Sequence, residues 1–164
     1  MSAPVVACPG CGLELPRTDP PYDRYYHASP ECWSVYGEVL AREYQNAVLF
    51  GQVHQLTVDS YAVQHAGGPH PDKSVDVHLT GLHLVLVAGI APPEVPPRLQ
   101  RLVQAVTSWP HFAPPAERGP LTVFDVALAD SPQQHAEQVR RWAAQLWEAW
   151  SPHHAAIAEL ASQR

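Results

Sequence analysis

The stretch SPECWSVYGEVLAREY, residues 29–44, marks where this chain passes from a short, turn-rich segment into helix. Ser29 is a favourable helix N-cap, and Pro30 suits the first helical position, where its missing N–H costs nothing. Cys32/Trp33, Tyr36, Val39/Leu40 and Tyr44 then recur at helical spacing and draw one apolar stripe. Cys32 falls in the first turn, where the positive end of the helix dipole favours a thiolate. That position points upstream for partners.

The other two cysteines lie in Cys8-Pro9-Gly10-Cys11-Gly12. Two thiolates two residues apart, with glycine to permit the tight turn, can grip one tetrahedral zinc ion. His27 and Cys32 straddle the helix start and offer a second pair, giving Cys-x2-Cys-x15-His-x4-Cys. Cys8, Cys11, His27 and Cys32 are therefore the expected zinc ligands. Asp23 or a water is the alternative in the fourth place, and a water there would make the site open and catalytic. A knuckle followed by ligands at a helix start resembles a treble-clef or zinc-ribbon-like finger. All three cysteines fall in the first 32 residues, and an odd number argues against a disulfide framework. Redox chemistry is the poorer reading, because the knuckle is not followed directly by a helix in a βαβ setting.

Beyond the knuckle the pattern stays helical, and the expected fold class is all-α. The chain reads as a zinc-binding module over 1–32 and a helical domain over 33–164, packed together as one unit. A short helix is expected over Val58–Ala66, stopped by Gly67-Gly68. Another starts at Ser74 and places Val75, Leu79, Leu82 and Leu86 on one face before Gly89. Pro96-Pro97 opens a further one with Leu99, Leu102/Val103 and Val106, and Ser108–Pro120 reads as loop. Thr122 and Asp125 form a capping-box pattern. Ser131-Pro132 opens the longest helix, carrying Val139, Trp142/Ala143, Leu146 and Trp150, and Ser151-Pro152 starts a last segment. Strand is expected only as a small hairpin around the cysteines. Trp142, Trp147 and Trp150 share one helix and are not all expected to point inward, which leaves Trp147 or Trp150 for a pocket or an oligomer contact.

Composition narrows the function classes. At 164 residues and 46% apolar, the chain can bury one real core. Its 18 prolines cluster at segment boundaries, as punctuation between short helices. The net charge of −6 argues against nucleic-acid or anionic-membrane partners, which need a positive surface. Within residues 1–45 three arginines face six carboxylates, so the finger is acidic too. No N-terminal stretch has the charged start and apolar run of a signal peptide, and a cytoplasmic location is expected. There is no G-x-S-x-G elbow, phosphate loop or dinucleotide fingerprint.

Ten histidines are many for this length. His65, His78, His135 and His154 fall on apolar stripes or helix ends and could converge on a second metal site with Asp59 as helper or base. His78 is expected to meet at least one of the others across a helical interface. Such a site would suit metal-assisted hydrolysis. The plainer account is that each imidazole is an ordinary core or polar group bonded to a backbone carbonyl. His54 is placed before the second helix, and His70 and His111 in proline-rich loops.

The segments CPGCG, HASPECW, VHQLTVDSYAVQH and WSPHH together resemble an uncharacterised bacterial family known only as a domain of unknown function. The resemblance implies that His54, Asp59, His65 and His78 belong to characteristic segments. It implies no activity. The expected function is a zinc-stabilised protein that binds a partner protein or small ligand, with possible self-association. The alternative is a metal-dependent hydrolase using the histidine cluster.

Overall fold

The computed structural model describes residues 3–163. Strands β1 (Val5–Ala7) and β2 (Glu14–Pro16) pair antiparallel with Val6 opposite Leu15, so the cysteine knuckle is the loop of a hairpin. Cys8 N–H donates to Leu13 O at 2.8 Å and Gly12 N–H to Cys8 O at 2.8 Å, closing a tight turn between the two thiols. The chain then enters helix α1 (Pro30–Tyr44), with Ser29 Oγ accepting the Cys32 N–H at 3.1 Å. The 32/33 module boundary thus falls inside α1, and Cys32 belongs to the helical part.

Six more helices follow: α2 (Ala47–Gln64), α3 (Asp72–Leu86), α4 (Val95–Ala105), α5 (Val123–Ala127), α6 (Pro132–Ala149) and α7 (His154–Ala161). The described residues are mostly helical, with a single two-stranded sheet. Helix α2 is the central element and packs on α1, α3 and α6. This explains the largest sequence error. Helix α2 begins at Ala47, capped by Asn46 Oδ1 on the Leu49 N–H, and not at Val58. A helix covered on several sides has no polar face and so no amphipathic period to read. His54 accordingly sits inside α2. Helix α3 starts two residues earlier than Ser74, at Asp72.

The remaining boundaries follow their caps. A 3₁₀ turn (Pro92–Glu94) leads into α4, Thr122 and Asp125 bond reciprocally as a capping box for α5, and Ser131 caps α6. A 3₁₀ turn over Ser151–His153 makes α7 a fresh helix. Trp142, Trp147 and Trp150 are all buried, contrary to the expectation that one would face outward. The final segment covers α6: the His154 ring stacks on Trp147 at 3.9 Å, and Ile157 of α7 joins the same core. Truncating a tryptophan such as Trp142 to alanine would cost about 3–5 kcal/mol. A satellite core of Val95, Leu99, Leu102, Val106 and Leu160 holds α4 to the end of the chain. Among the described residues, no helix is long and apolar enough to cross a membrane.

Candidate metal centre

Three parts of the chain meet behind the hairpin. Cys8 follows β1, Cys11 lies in the knuckle, Cys32 is in the first turn of α1, and His65 is the C-cap of α2. One ligand atom from each lies within 4.8 Å of the others. Cys11 Sγ is 3.8 Å from Cys32 Sγ, and Cys32 Sγ is 3.4 Å from His65 Nε2. A tetrahedral zinc ion with bonds of about 2.3 Å to sulfur and 2.0–2.1 Å to nitrogen has edges of about 3.8 Å (S–S) and 3.5 Å (S–N). The Cys11–Cys32 and Cys32–His65 pairs stand at about those edges, and all four donors lie within 4.8 Å of one another. Soft thiolates with one imidazole suit zinc and exclude the oxygen-seeking ions. The donor set fits the metal.

The surroundings aim each donor. His65 Nδ1–H donates to the Tyr61 carbonyl one turn earlier at 2.7 Å, which leaves Nε2 as the free lone pair. Tyr61 is itself fixed between Tyr36, stacked at 3.8 Å, and the His65 ring at 4.0 Å. Ser29 N–H donates to Cys8 Sγ at 3.4 Å and Tyr61 O–H to Cys32 Sγ at 3.6 Å. His70 holds the His65 carbonyl through Nδ1 at 3.1 Å and Ser74 Oγ through Nε2 at 2.8 Å. Burial pushes His70 down to about 4, so it braces this corner as a neutral group. Gly10 is required by space: a Cβ there would overlap the His27 carbonyl oxygen and the His65 ring.

Charge explains why the cluster wants a cation. Hydrogen bonds from Cys11 and then Cys32 drive the Cys8 thiol far below its ordinary value, and the bonds Cys32 makes with Cys11 and Cys8 drive its own thiol far up. One proton-poor sulfur is stabilised at the expense of its neighbours. Only a positive ion lets all three ionise in a site where Cys8, Cys32 and His65 are almost fully buried. Three thiolates, a neutral imidazole and a divalent ion would leave one net negative charge. Arg118 stands nearby, donating from Nη1 to the carbonyls of Gln64 at 2.5 Å and Ala66 at 3.0 Å, on either side of His65. Burial pulls its guanidinium down, and the Cys11 and Cys8 charges hold it up. It caps the end of α2 and faces the sulfur cluster with positive charge.

The fourth member of the group is His65, where the sequence spacing pointed to His27. The chain before α1 turns the main chain of His27 toward the centre: its N–H donates to His65 O at 3.1 Å and its carbonyl lies over Gly10. The ring is left on the far side, against Gly68, which has φ +52° and no room for a Cβ beside the imidazole. Asp23 stays outside as well, with Oδ1 accepting the Tyr25 N–H at 3.1 Å in an exposed turn.

The expected second histidine site does not assemble, since its residues are divided among separate partners. His78 Nδ1–H donates to buried Asp59 at 2.8 Å, where Gln55 also bonds, so its partner is a carboxylate and not another imidazole. His154 donates to the Trp147 carbonyl at 2.8 Å. His135 Nε2–H reaches Glu43 Oε1 at 2.8 Å. Among the described residues, no second group of His, Cys, Asp and Glu donors converges as the first does.

Glu43 was missed, and it organises the other polar cluster of the core. Its carboxylate accepts from His135, from Thr57 Oγ1 at 2.5 Å, and from His54 Nδ1 at 2.7 Å. Burial works to raise this carboxyl, but the hydrogen bonds from His135, His54 and Thr57 outweigh it and hold it below the usual carboxylate range. The signal was present: Glu43 follows Tyr36 by seven and Val39 by four, on the buried stripe of α1.

No curated protein and no solved structure matches the chain. The model of DUF5946, a family of unknown function, matches residues 6–151, a span that contains all four residues of the centre and helices α1 to α6, and the chain belongs to that family.

Proposed function

We propose that this chain is a zinc-stabilised binding protein, in which the ion at Cys8, Cys11, Cys32 and His65 is structural. The observation that carries this reading is the closed donor set: four protein ligands, almost all buried, drawn from hairpin, α1 and α2. A catalytic zinc keeps one position for water or substrate, and here the imidazole takes it. Hydrolysis at this centre would require a protein ligand to leave. The hairpin knuckle followed by a ligand in the first turn of a helix is treble-clef-like, with the fourth ligand borrowed from α2. Structural zinc contributes about 10 kcal/mol or more of apparent binding energy, as much as the net stability of a whole domain. The ion thereby clasps the finger to the central helix.

A partner is favoured over a reaction by the surface as well. Tyr44, Val48, Phe50 and Leu128 are large apolar side chains left exposed around the α1–α2 turn and the end of α5. The net charge of −6 keeps nucleic acid and anionic membranes out of the proposal. The test is metal content with cobalt substitution. Purified protein should hold one zinc per chain, and Co²⁺ should show sulfur-to-metal charge transfer with tetrahedral d–d bands. His65→Ala should lose that spectrum. Two zinc ions per chain, or an unchanged spectrum in His65→Ala, would overturn the assignment.

A further inference from the structure

A hollow outside the metal centre lies where the N-termini of α2 and α6 come together. It measures about 340 Å³ and is lined by Arg42, Asn46, Leu49, Ser131, Pro132 and His135, among others. A second hollow of about 280 Å³ shares Asn46, Leu49 and Pro132 and extends over Val48. Both helices are 18 residues long, so each brings a full dipole to its N-terminal end. Their caps consume few donors. Asn46 takes the Leu49 N–H and Ser131 the Gln134 N–H, which leaves the N–H groups of Ala47, Val48 and Gln133 without an intrahelical acceptor. Arg42 adds a guanidinium, of which Nη2 is tied to Ala127 O at 2.7 Å.

An independent observation lies in the wall. The His135 side chain is 2% exposed; its Nε2 is pinned to Glu43 beneath, while its Nδ1 has no partner at all. A buried imidazole nitrogen left single costs about 1–3 kcal/mol unless something supplies the missing bond. The same ring lines the pocket. With Nε2–H given to the Glu43 carboxylate, Nδ1 offers an N–H only in the doubly protonated ring, the form that an anion in the pocket would stabilise.

We propose that this pocket binds the anionic head of a small molecule, of the phosphate-monoester class, with an apolar body lying on Leu49, Pro132 and Val48. The proposal rests on reading the chain as a binding protein and names its ligand chemistry. The convergence of two helix N-termini with Arg42 and the unpaired His135 nitrogen recognises the head. Asp130 stands at the rim with an exposed carboxylate and works against the anion.

The test titrates phenyl phosphate, with benzyl alcohol as the neutral control, into the full zinc-loaded chain and follows backbone amides by NMR. Phenyl phosphate should bind saturably and move the Ala47, Val48 and Gln133 amides, and benzyl alcohol should not. Arg42→Ala, at an exposed position, should weaken binding by about tenfold. Asp130→Asn should strengthen it by about threefold. Absence of saturable binding, equal binding of the alcohol, or indifference to both substitutions would overturn the pocket. Zinc content measured on the same samples separates the two ideas. Lost binding with one zinc per chain sinks only the pocket, whereas intact binding with no stoichiometric zinc sinks only the structural-ion reading.

Discussion

Helix α2 carries two buried polar clusters: His65 with Cys8, Cys11 and Cys32 at its C-terminus, and His54 and Thr57 around Glu43 at its middle. The Glu43 cluster closes on itself. One carboxylate accepts from two imidazoles and a hydroxyl, so the charge is matched by donors the chain already owns. The sulfur cluster cannot close that way, because three thiols offer weak donors and mutually repelling anions. Burial forces the question in both clusters. Oxygen and nitrogen can answer it with hydrogen bonds, while three clustered sulfurs with an imidazole suit a bound cation.

The contrast can be broken most forcefully at the sulfur end. Cys11→Ser should take zinc well below one per chain and remove stability on the order of 5 kcal/mol or more, read by metal analysis and thermal unfolding. Full zinc with an unchanged melting temperature would refute the centre. In the other cluster, Glu43→Gln should cost about 3–5 kcal/mol in urea unfolding, because it breaks a buried ionic network. Zinc should remain at one per chain. Loss of zinc in that variant would show that the two clusters are one coupled system.

Asp76 sharpens the comparison from outside both clusters. It is fully buried, both of its carboxylate oxygens lack partners, and burial with the nearby Asp72 charge pushes it up to about 7. A raised acid destabilises the folded state as it is forced to ionise, so its cost grows from about pH 4 to pH 7 and then stays constant. Asp76→Asn should therefore stabilise the protein by about 2 kcal/mol at pH 8 and by little at pH 4. A gain equal at both pH values would show that charge is not the cause. The smallest effect belongs to His27→Ala, which should keep one zinc per chain and shift stability by less than about 1 kcal/mol. Metal loss there would return His27 to the ligand set.

Much of this was legible in the sequence because it is local. Ser29-Pro30, Thr122 with Asp125, and Ser131-Pro132 each place a helix start through bonds spanning three residues. The Cys8/Cys11 knuckle is local too. What failed is long-range or hidden by burial. His65 lies 33 residues beyond Cys32, and a nearer imidazole at His27 offered ordinary finger spacing. Only the packing of α2 against α1 decides between them, and α2 itself was shortened because its buried sides show no polar period. His65 did carry a hint: it ends a helix just before Gly67-Gly68, one turn after Tyr61, whose carbonyl aims it.

That His65 caps the C-terminal end of a central helix also bears on how fast the proposed zinc could move. Knuckle and α1 supply the three sulfurs and the end of α2 only the imidazole, so an ion held there would be closed in by the α2 terminus. Its release would need the terminal turn of α2 to move off the Arg118 and His70 contacts that hold its carbonyls. Zinc exchange with an external chelator should then follow local opening of that turn. The escape rate would then be a clock for the end of one helix.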